Sequence, residues 1–289
     1  MTIPAPAVPP LAISPLPLPA IEWDSLVLRS GSHSDFEGFT VNPPVCLWEA
    51  IGMSRNLNQT SDCPEDVSEI LFLFTVSMND MLPEARRQRL KDYRQSLLNT
   101  SGNPVADSKV MYLAADWLVR TYLPAMLWVA GFEVPSEALA GSNEITSLVT
   151  LEDTAGAIAE ARTMVTQGLR RVETKQIASR RKAKGDEEKT DEVNRAHLSL
   201  GHAQAMMVSL TTPAIGASLY VGIVVDRIVP RVWAITASDA TTTANHCTVL
   251  AADTAGVAAH EVLAPVVAAL YDSLYDLLDK MLASYQPLP

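Results

Sequence analysis

The sequence predicts a mainly α-helical protein, a multi-helix bundle led by a proline-rich extended N-terminal arm. Three observations carry that class. Apolar residues recur at spacings of three and four through most of the chain. Prolines and acids stand together where helices would begin, as at Cys63-Pro64-Glu65-Asp66 and Pro83-Glu84. Seven prolines fall within the first 20 residues, a density that excludes a helix there and favours extended backbone. The organisation that follows is an arm over residues 1–25, a helical core over 26–147, and an Ala-rich helical hairpin with a C-terminal helix over 148–289 that packs on the core.

Within the arm, Leu11, Ile13, Leu16 and Leu18 alternate with proline and give an extended segment something to bury; the plain alternative is a solvated tail. Residues 26–42, with Gly31, Ser32, Ser34, Asp35 and Gly38, keep no period and read as a loop. A short helix is expected over residues 45–51, closed by Gly52. The next begins at Pro64 and carries Val67, Ile70, Leu71, Phe74 and Met78. The helix opened by Pro83 turns Leu90, Tyr93 and Leu97 inward and leaves Arg86, Arg87 and Arg89 wet. Val110, Leu113, Ala114, Trp117 and Leu118 mark a long helix bent or ended near Pro124, and residues 133–147 read as a connection.

Ile158, Ala161, Val165, Leu169 and Val172 form one later stripe, and Val193, Ala196, His197, Leu200 and Met207 another. The charged run from Arg180 to Lys189 between them reads as the tip of a helical hairpin. Residues 219–235 are β-branched enough that helix and strand both stay open. The last helix places Leu263, Val267, Leu270, Leu274, Leu277, Leu278 and Met281 near heptad spacing, which requires a partner helix from this chain or another copy.

Composition narrows function. With 289 residues and 48% hydrophobic content the chain can fill a sizeable core. Its 22 basic and 33 acidic residues give a net charge of -11, which repels nucleic acid and anionic lipid. The basic run Arg162, Arg170, Arg171, Lys175, Arg180, Arg181, Lys182 and Lys184 has no interleaved aromatic and reads as a solvated face. The most apolar stretch, residues 214–225, is too short for a membrane span. Three cysteines without CxxC spacing suggest neither a disulfide framework nor a zinc finger. No basic residue precedes Arg29, so no secretory leader is expected and a cytoplasmic location is.

The ordered motifs Gly31-Ser32-His33-Ser34, Cys46-Leu47-Trp48-Glu49-Ala50, Cys63-Pro64, Asn79-Asp80, Arg89-Leu90-Lys91-Asp92-Tyr93 and Ala115-Asp116-Trp117-Leu118-Val119-Arg120 resemble an uncharacterised family of hypothetical proteins from actinobacteria and their phages. The resemblance spans roughly residues 26–146 and implies an Ala-rich helical second half, to which Leu277-Leu278-Asp279-Lys280-Met281 is similar. It implies no activity. The chain departs from that pattern by extra residues between Gly38 and Cys46. Thr60-Ser61-Asp62 also stands where His-Pro is common, so a metal site built on that histidine would lack a ligand.

Candidate chemistry centres on Cys46, near a helix N-terminus whose dipole would lower a thiol pKa, with His33 as a base and Glu49 or Asp35 to orient it. The plain reading makes Cys46 a small buried residue beside Leu47 and Ala50. A zinc set of His33, Cys46, Glu49 and Cys63 has suitable atoms but no compact spacing, so no metal is expected, and no cofactor is implied. Asp116 and Arg120 form an i,i+4 pair that with Trp117 reads as a structural anchor for the Gly31–Asp35 loop. The expected function is a non-enzymatic helical interaction or assembly protein, and the resemblance implies a phage-encoded setting for it. It would bind a protein partner or itself through Leu11, Ile13, Leu16 and Leu18 of the arm and Leu274 and Leu278 of the last helix. The alternative is a cysteine-dependent hydrolase or transferase built on Cys46 and His33.

Overall fold

The computed structural model describes residues 21–31, 45–55, 62–129, 132–182 and 257–286. Among them the chain is mainly α-helical, and extended backbone pairs at one isolated parallel bridge, Leu28 to Val45. The arm with Leu11, Ile13, Leu16 and Leu18 lies outside the described residues. So do His33, Asp35, the second helical stripe with His197, the segment 219–235 and Cys247.

Helix α1 (Leu47–Ser54) starts two residues later than expected, with Cys46 as its N-cap, and runs through Gly52, because Ile51, Gly52 and Met53 are all buried and the chain reaches the surface only at Ser54. Helix α2 (Glu69–Met81) starts five residues later than the Cys63-Pro64 signal suggests. Residues Pro64 to Val67 form a turn instead, with the Val67 N–H on the Pro64 carbonyl at 3.0 Å. Two contacts hold that turn: Arg55 pairs with Asp66 at 2.9 Å, and the Asp66 carbonyl accepts the N–H groups of Thr100 and Ser101. The Arg55 hydrogen bond also keeps the Asp66 carboxyl below the usual carboxylate range.

Pro83 precedes α3 (Glu84–Arg87) and a 3₁₀ turn, Gln88–Tyr93, and Leu90, Tyr93 and Leu97 do point inward. Arg87 does not stay wet. It is 7% exposed, and its guanidinium donates to the carbonyls of Asn79 and Leu82, closing the end of α2 that helical bonds leave unpaired.

Helix α4 (Pro104–Trp117) is capped by Asn103, whose Oδ1 accepts the Ala106 N–H at 3.1 Å, and has Pro104 in its first turn. It does not stop at Pro124. A π-helical turn, Leu118–Tyr122, carries it into α5 (Leu123–Val129), the local change of hydrogen-bond pattern directly preceding Pro124, which has no N–H to give. The expected connection after it is largely helical: α6 (Glu133–Ala140) tolerates Pro135 in its first turn and buries Pro135, Ser136 and Leu139. The Ser136 hydroxyl ties it to the Pro124 carbonyl at 2.8 Å.

Helix α7 (Leu148–Lys182) has 35 residues, about 50 Å of rise. It buries Leu151, Ile158, Ala161 and Val165 while Arg162, Arg170 and Arg171 face outward. The C-terminal helix α8 (Val257–Ala283) lies on the core of residues 26–147. Leu270, Tyr271, Leu274, Tyr275, Leu277, Leu278, Met281 and Leu282 are all buried there. Polar contacts fix its register: Trp117 Nε1 donates to Ser273 at 2.9 Å and the Tyr275 hydroxyl to the Arg86 carbonyl at 2.6 Å. The Tyr285 hydroxyl beyond its end reaches Ser68 at 2.9 Å, and Arg89 sits 4.3 Å from the centre of the Tyr275 ring.

Because Leu274 and Leu278 are fully buried in this packing, shortening either to alanine should cost about 2–5 kcal/mol, against less than about 0.5 kcal/mol for the exposed Asp276→Ala. Denaturant unfolding of the three variants checks this. Equal, small losses would mean that α8 is not seated on the core.

Candidate functional site

The site forms where α1 starts against the last turns of α2. Cys46 is the N-cap of α1 and Glu49 is its third residue, and the two exchange bonds reciprocally. The Cys46 N–H donates to Glu49 Oε2 at 2.7 Å, and the Glu49 N–H donates to the Cys46 sulfur at 3.4 Å. Next in line, the Leu47 N–H donates to Asn79 Oδ1 at 3.1 Å. One local acceptor, the Cys46 sulfur, and one reached through folding, Asn79, therefore serve the first N–H groups of a helix whose start is buried.

Asn79 then joins the site to the preceding segment. Its amide donates to the Arg29 carbonyl at 2.8 Å and to Asp80 Oδ1 at 3.2 Å, and the Gly31 N–H donates to that same oxygen at 2.7 Å. Gly31 turns there with φ +84, a conformation in which a Cβ would be strained. Gln88 brackets Leu28 with bonds to both its N–H and its carbonyl, and Lys91 donates to the Leu26 carbonyl at 2.9 Å.

Between these elements is a cavity of about 110 Å³. Cys46, Trp48, Phe72 and Val76 wall it, and Gly31, Asn79 and Asp80 form its polar side. The Trp48 and Phe72 rings lie 5.1 Å apart at 50°, and the Trp48 indole N–H donates to Thr75 at 3.0 Å.

The arrangement does not activate Cys46. Burial pushes its thiol up to about 12 and the neighbouring Glu49 carboxylate adds to the rise, outweighing the backbone N–H groups that the dipole argument relied on. Burial likewise raises Cys63 to about 11, helped by Glu69 and Asp66. Of the four sequence candidates for catalysis, Cys46 and Glu49 are brought together, as a cap; His33 and Asp35 are outside the described residues. No group of three or more His, Cys, Asp or Glu side chains among the described residues could hold a metal ion.

Among the described residues, Asp116 and Trp117 tie their helix to other segments, with Arg120 paired to Asp116. Asp116 Oδ1 takes the Arg120 guanidinium at 3.0 Å and the Ile145 N–H at 2.9 Å, fixing the approach to α7, while Trp117 holds α8 through Ser273. Of the Gly31–Asp35 loop only Gly31 is described, and its N–H is held by Asp80. Leu274 and Leu278 are not a contact surface: both are 0% exposed inside this chain. Arg87, expected to stay wet, is buried, and residue spacing carries no sign of the cluster of Ser68, Asp107 and Tyr285, where the Ser68 hydroxyl donates to Asp107 at 2.7 Å. Asn79-Asp80 at the end of an apolar helical run was the available signal.

Among the described residues, fold and site together define a mainly α-helical protein with a buried cap and a small aromatic cavity beside it. No family model, curated protein or solved structure compared with the chain matches it.

A thiol is neutral when protonated, so a folded pKa above the unfolded one means that the unfolded chain loses its proton first as pH rises. The Cys46 contribution is therefore complete below about pH 9, where an ordinary thiol titrates, and is lost between there and about 12. Buried Tyr93, raised to about 12 by burial, acts in the same sense. We expect stability to fall above pH 9, and more shallowly in Cys46→Ser, whose hydroxyl retains the cap. Parallel pH profiles for the two proteins would contradict the burial assigned to the thiol.

Proposed function

We propose that the chain is a non-enzymatic helical interaction protein that works by assembling with a protein partner or with itself. The observation that supports this most is the use made of Cys46. Its sulfur and backbone are engaged with Glu49 as a helix cap, and its thiol stays protonated at neutral pH, so the one nucleophile that the sequence nominates is occupied in holding the fold. The cysteine-hydrolase alternative needs a thiolate in an accessible cleft, and Cys46 is 8% exposed. A nucleic-acid role has only the outward arginines of α7 in its favour, against a chain charge of -11.

With the α8 stripe consumed internally, the surfaces left for assembly are the proline-rich arm and the exposed apolar side chains. Among the described residues, Trp128 is 55% exposed and Val134 68%. An exposed tryptophan offers a large rigid contact at low entropic cost, the kind of anchor that dominates protein interfaces. Among the described residues no helix is long and apolar enough to cross a membrane. Cys46 and Cys63 are free thiols, which fits a reducing cytoplasm.

Two measurements test the proposal together. Light scattering of the full chain should show concentration-dependent association that is lost on deleting residues 1–20 or in Trp128→Ser, with the thermal midpoint unchanged. Cys46 should resist a thiol-reactive electrophile at neutral pH until denaturant is added. A strictly monomeric chain with a promptly labelled Cys46 would overturn this reading in favour of the enzyme.

A further inference from the structure

We propose that the outward face of α7 pairs antiparallel with the same face of a second copy of this chain, so that Glu152 and Asp153 of each meet Arg170 and Arg171 of the other. The inference rests on the assembly reading above and names its partner.

The face is what the core leaves over. Leu151, Ile158 and Val165 are buried, while Glu152, Gly156, Ala159, Thr163, Thr166 and Arg170 follow one another at spacings of three and four on the other side of the helix, all exposed. The middle of this stripe suits a second helix. Gly156 and Ala159 let two axes approach to about 8 Å. The Thr163 hydroxyl donates to the Ala159 carbonyl at 2.9 Å and the Thr166 hydroxyl to the Arg162 carbonyl at 2.8 Å, so covering them strands no donor.

Charge selects the occupant. Glu152, Asp153 and Glu160 fall in the first half of α7, and Arg170, Arg171, Lys175, Arg180, Arg181 and Lys182 in the second. A helix acidic at one end and basic at the other complements a copy of itself when the two run in opposite directions, whereas parallel copies would set acid on acid. A two-fold axis near residue 161 places Glu152 against Arg170 of the second copy and Asp153 beside its Arg171, at both ends, with Ala159 on Thr163 between them. Glu160 and Arg162, close to the axis, each meet their own counterpart, but on the flanks of the seam, where solvent and salt screen them. Among the described residues no ion pair engages Glu152, Asp153, Arg170 or Arg171, so pairing displaces none.

From Glu152 to Arg170 the seam is about 27 Å long and made of small side chains, short of the roughly 1,000 Å² that a stable interface buries. Helix α7 therefore sets the direction of the pair, and the arm and Trp128 supply the remaining area. The Phe132 ring lies against Gly168, where a Cβ would collide with it, and the Phe132 N–H bonds the Leu127 carbonyl at 2.8 Å. The corner that carries Trp128 thus stands beside α7.

Sedimentation of the full-length chain and of two charge reversals tests the pairing. One variant carries Glu152→Lys and Asp153→Lys, the other Arg170→Glu and Arg171→Glu. All four positions are exposed, so circular dichroism should match the wild type in both. Each variant alone should associate at least about tenfold more weakly than the wild type, because both ends of the pair become repulsive. An equimolar mixture should regain association, since a basic α7 then meets an acidic one. Raising the salt from about 0.05 M to about 0.5 M should weaken the wild type as well. Association that survives both reversals or is indifferent to salt overturns the α7 pairing and leaves the assembly reading standing. Loss in both variants without recovery on mixing gives the face to a different partner and also overturns it. A wild type that stays monomeric at every concentration overturns both readings.

Discussion

The start of α1 lies inside the core, so the N–H groups that an α-helix leaves unpaired at its first turn have no water to bond. Everything near the site follows from how those donors are met. Glu49 reaches back to Cys46, Cys46 accepts from Glu49, and Asn79 comes across from α2 to accept from Leu47. Asn79 can do so only if α2 passes at a fixed height, and the same side chain then positions Arg29 and Asp80. A polar node of this kind, fully bonded and buried, rigidifies its neighbours, and one member removed leaves the rest unpaired in an apolar setting.

The far side of the core is closed by α8, which brings eight large buried side chains onto residues distant in sequence. Its polar contacts repeat the logic of the α1 node. Ser68, the N-cap of α2, makes no cap bond to its own helix. It bonds Asp107 and receives Tyr285, so the beginning of α2, the first turns of α4 and the end of α8 meet at one hydroxyl. The two ends of α2 are thus each tied by a small polar cluster, and the apolar layer between them is held in register from both sides.

Much of this was legible in the sequence because it is local. The inward face of α8 follows from its spacing, and the inward Leu90, Tyr93 and Leu97 follow in the same way. What escaped depends on contacts far apart in the chain. The Pro64 signal is overridden because Asp66 pairs with Arg55 and serves Thr100, neither of which a local reading includes. Arg87 is indistinguishable in sequence from its wet neighbours until the end of α2 arrives to receive it. For Cys46, the position near a helix N-terminus was right, but the expected fall in pKa assumed exposure. Burial beside Glu49 reverses the sign, and neither is visible from spacing. The heptad pattern of α8 likewise shows that a partner exists without saying that the partner is this chain.

The central claim is that Cys46 holds α1 in place as a protonated cap. An NMR titration of the Cys46 Cβ resonance in the folded protein tests it most directly. The account predicts no ionisation step up to about pH 9, where an ordinary thiol would be half titrated, with any inflection displaced toward 12. An inflection at or below pH 8 would show an activated thiolate and contradict it.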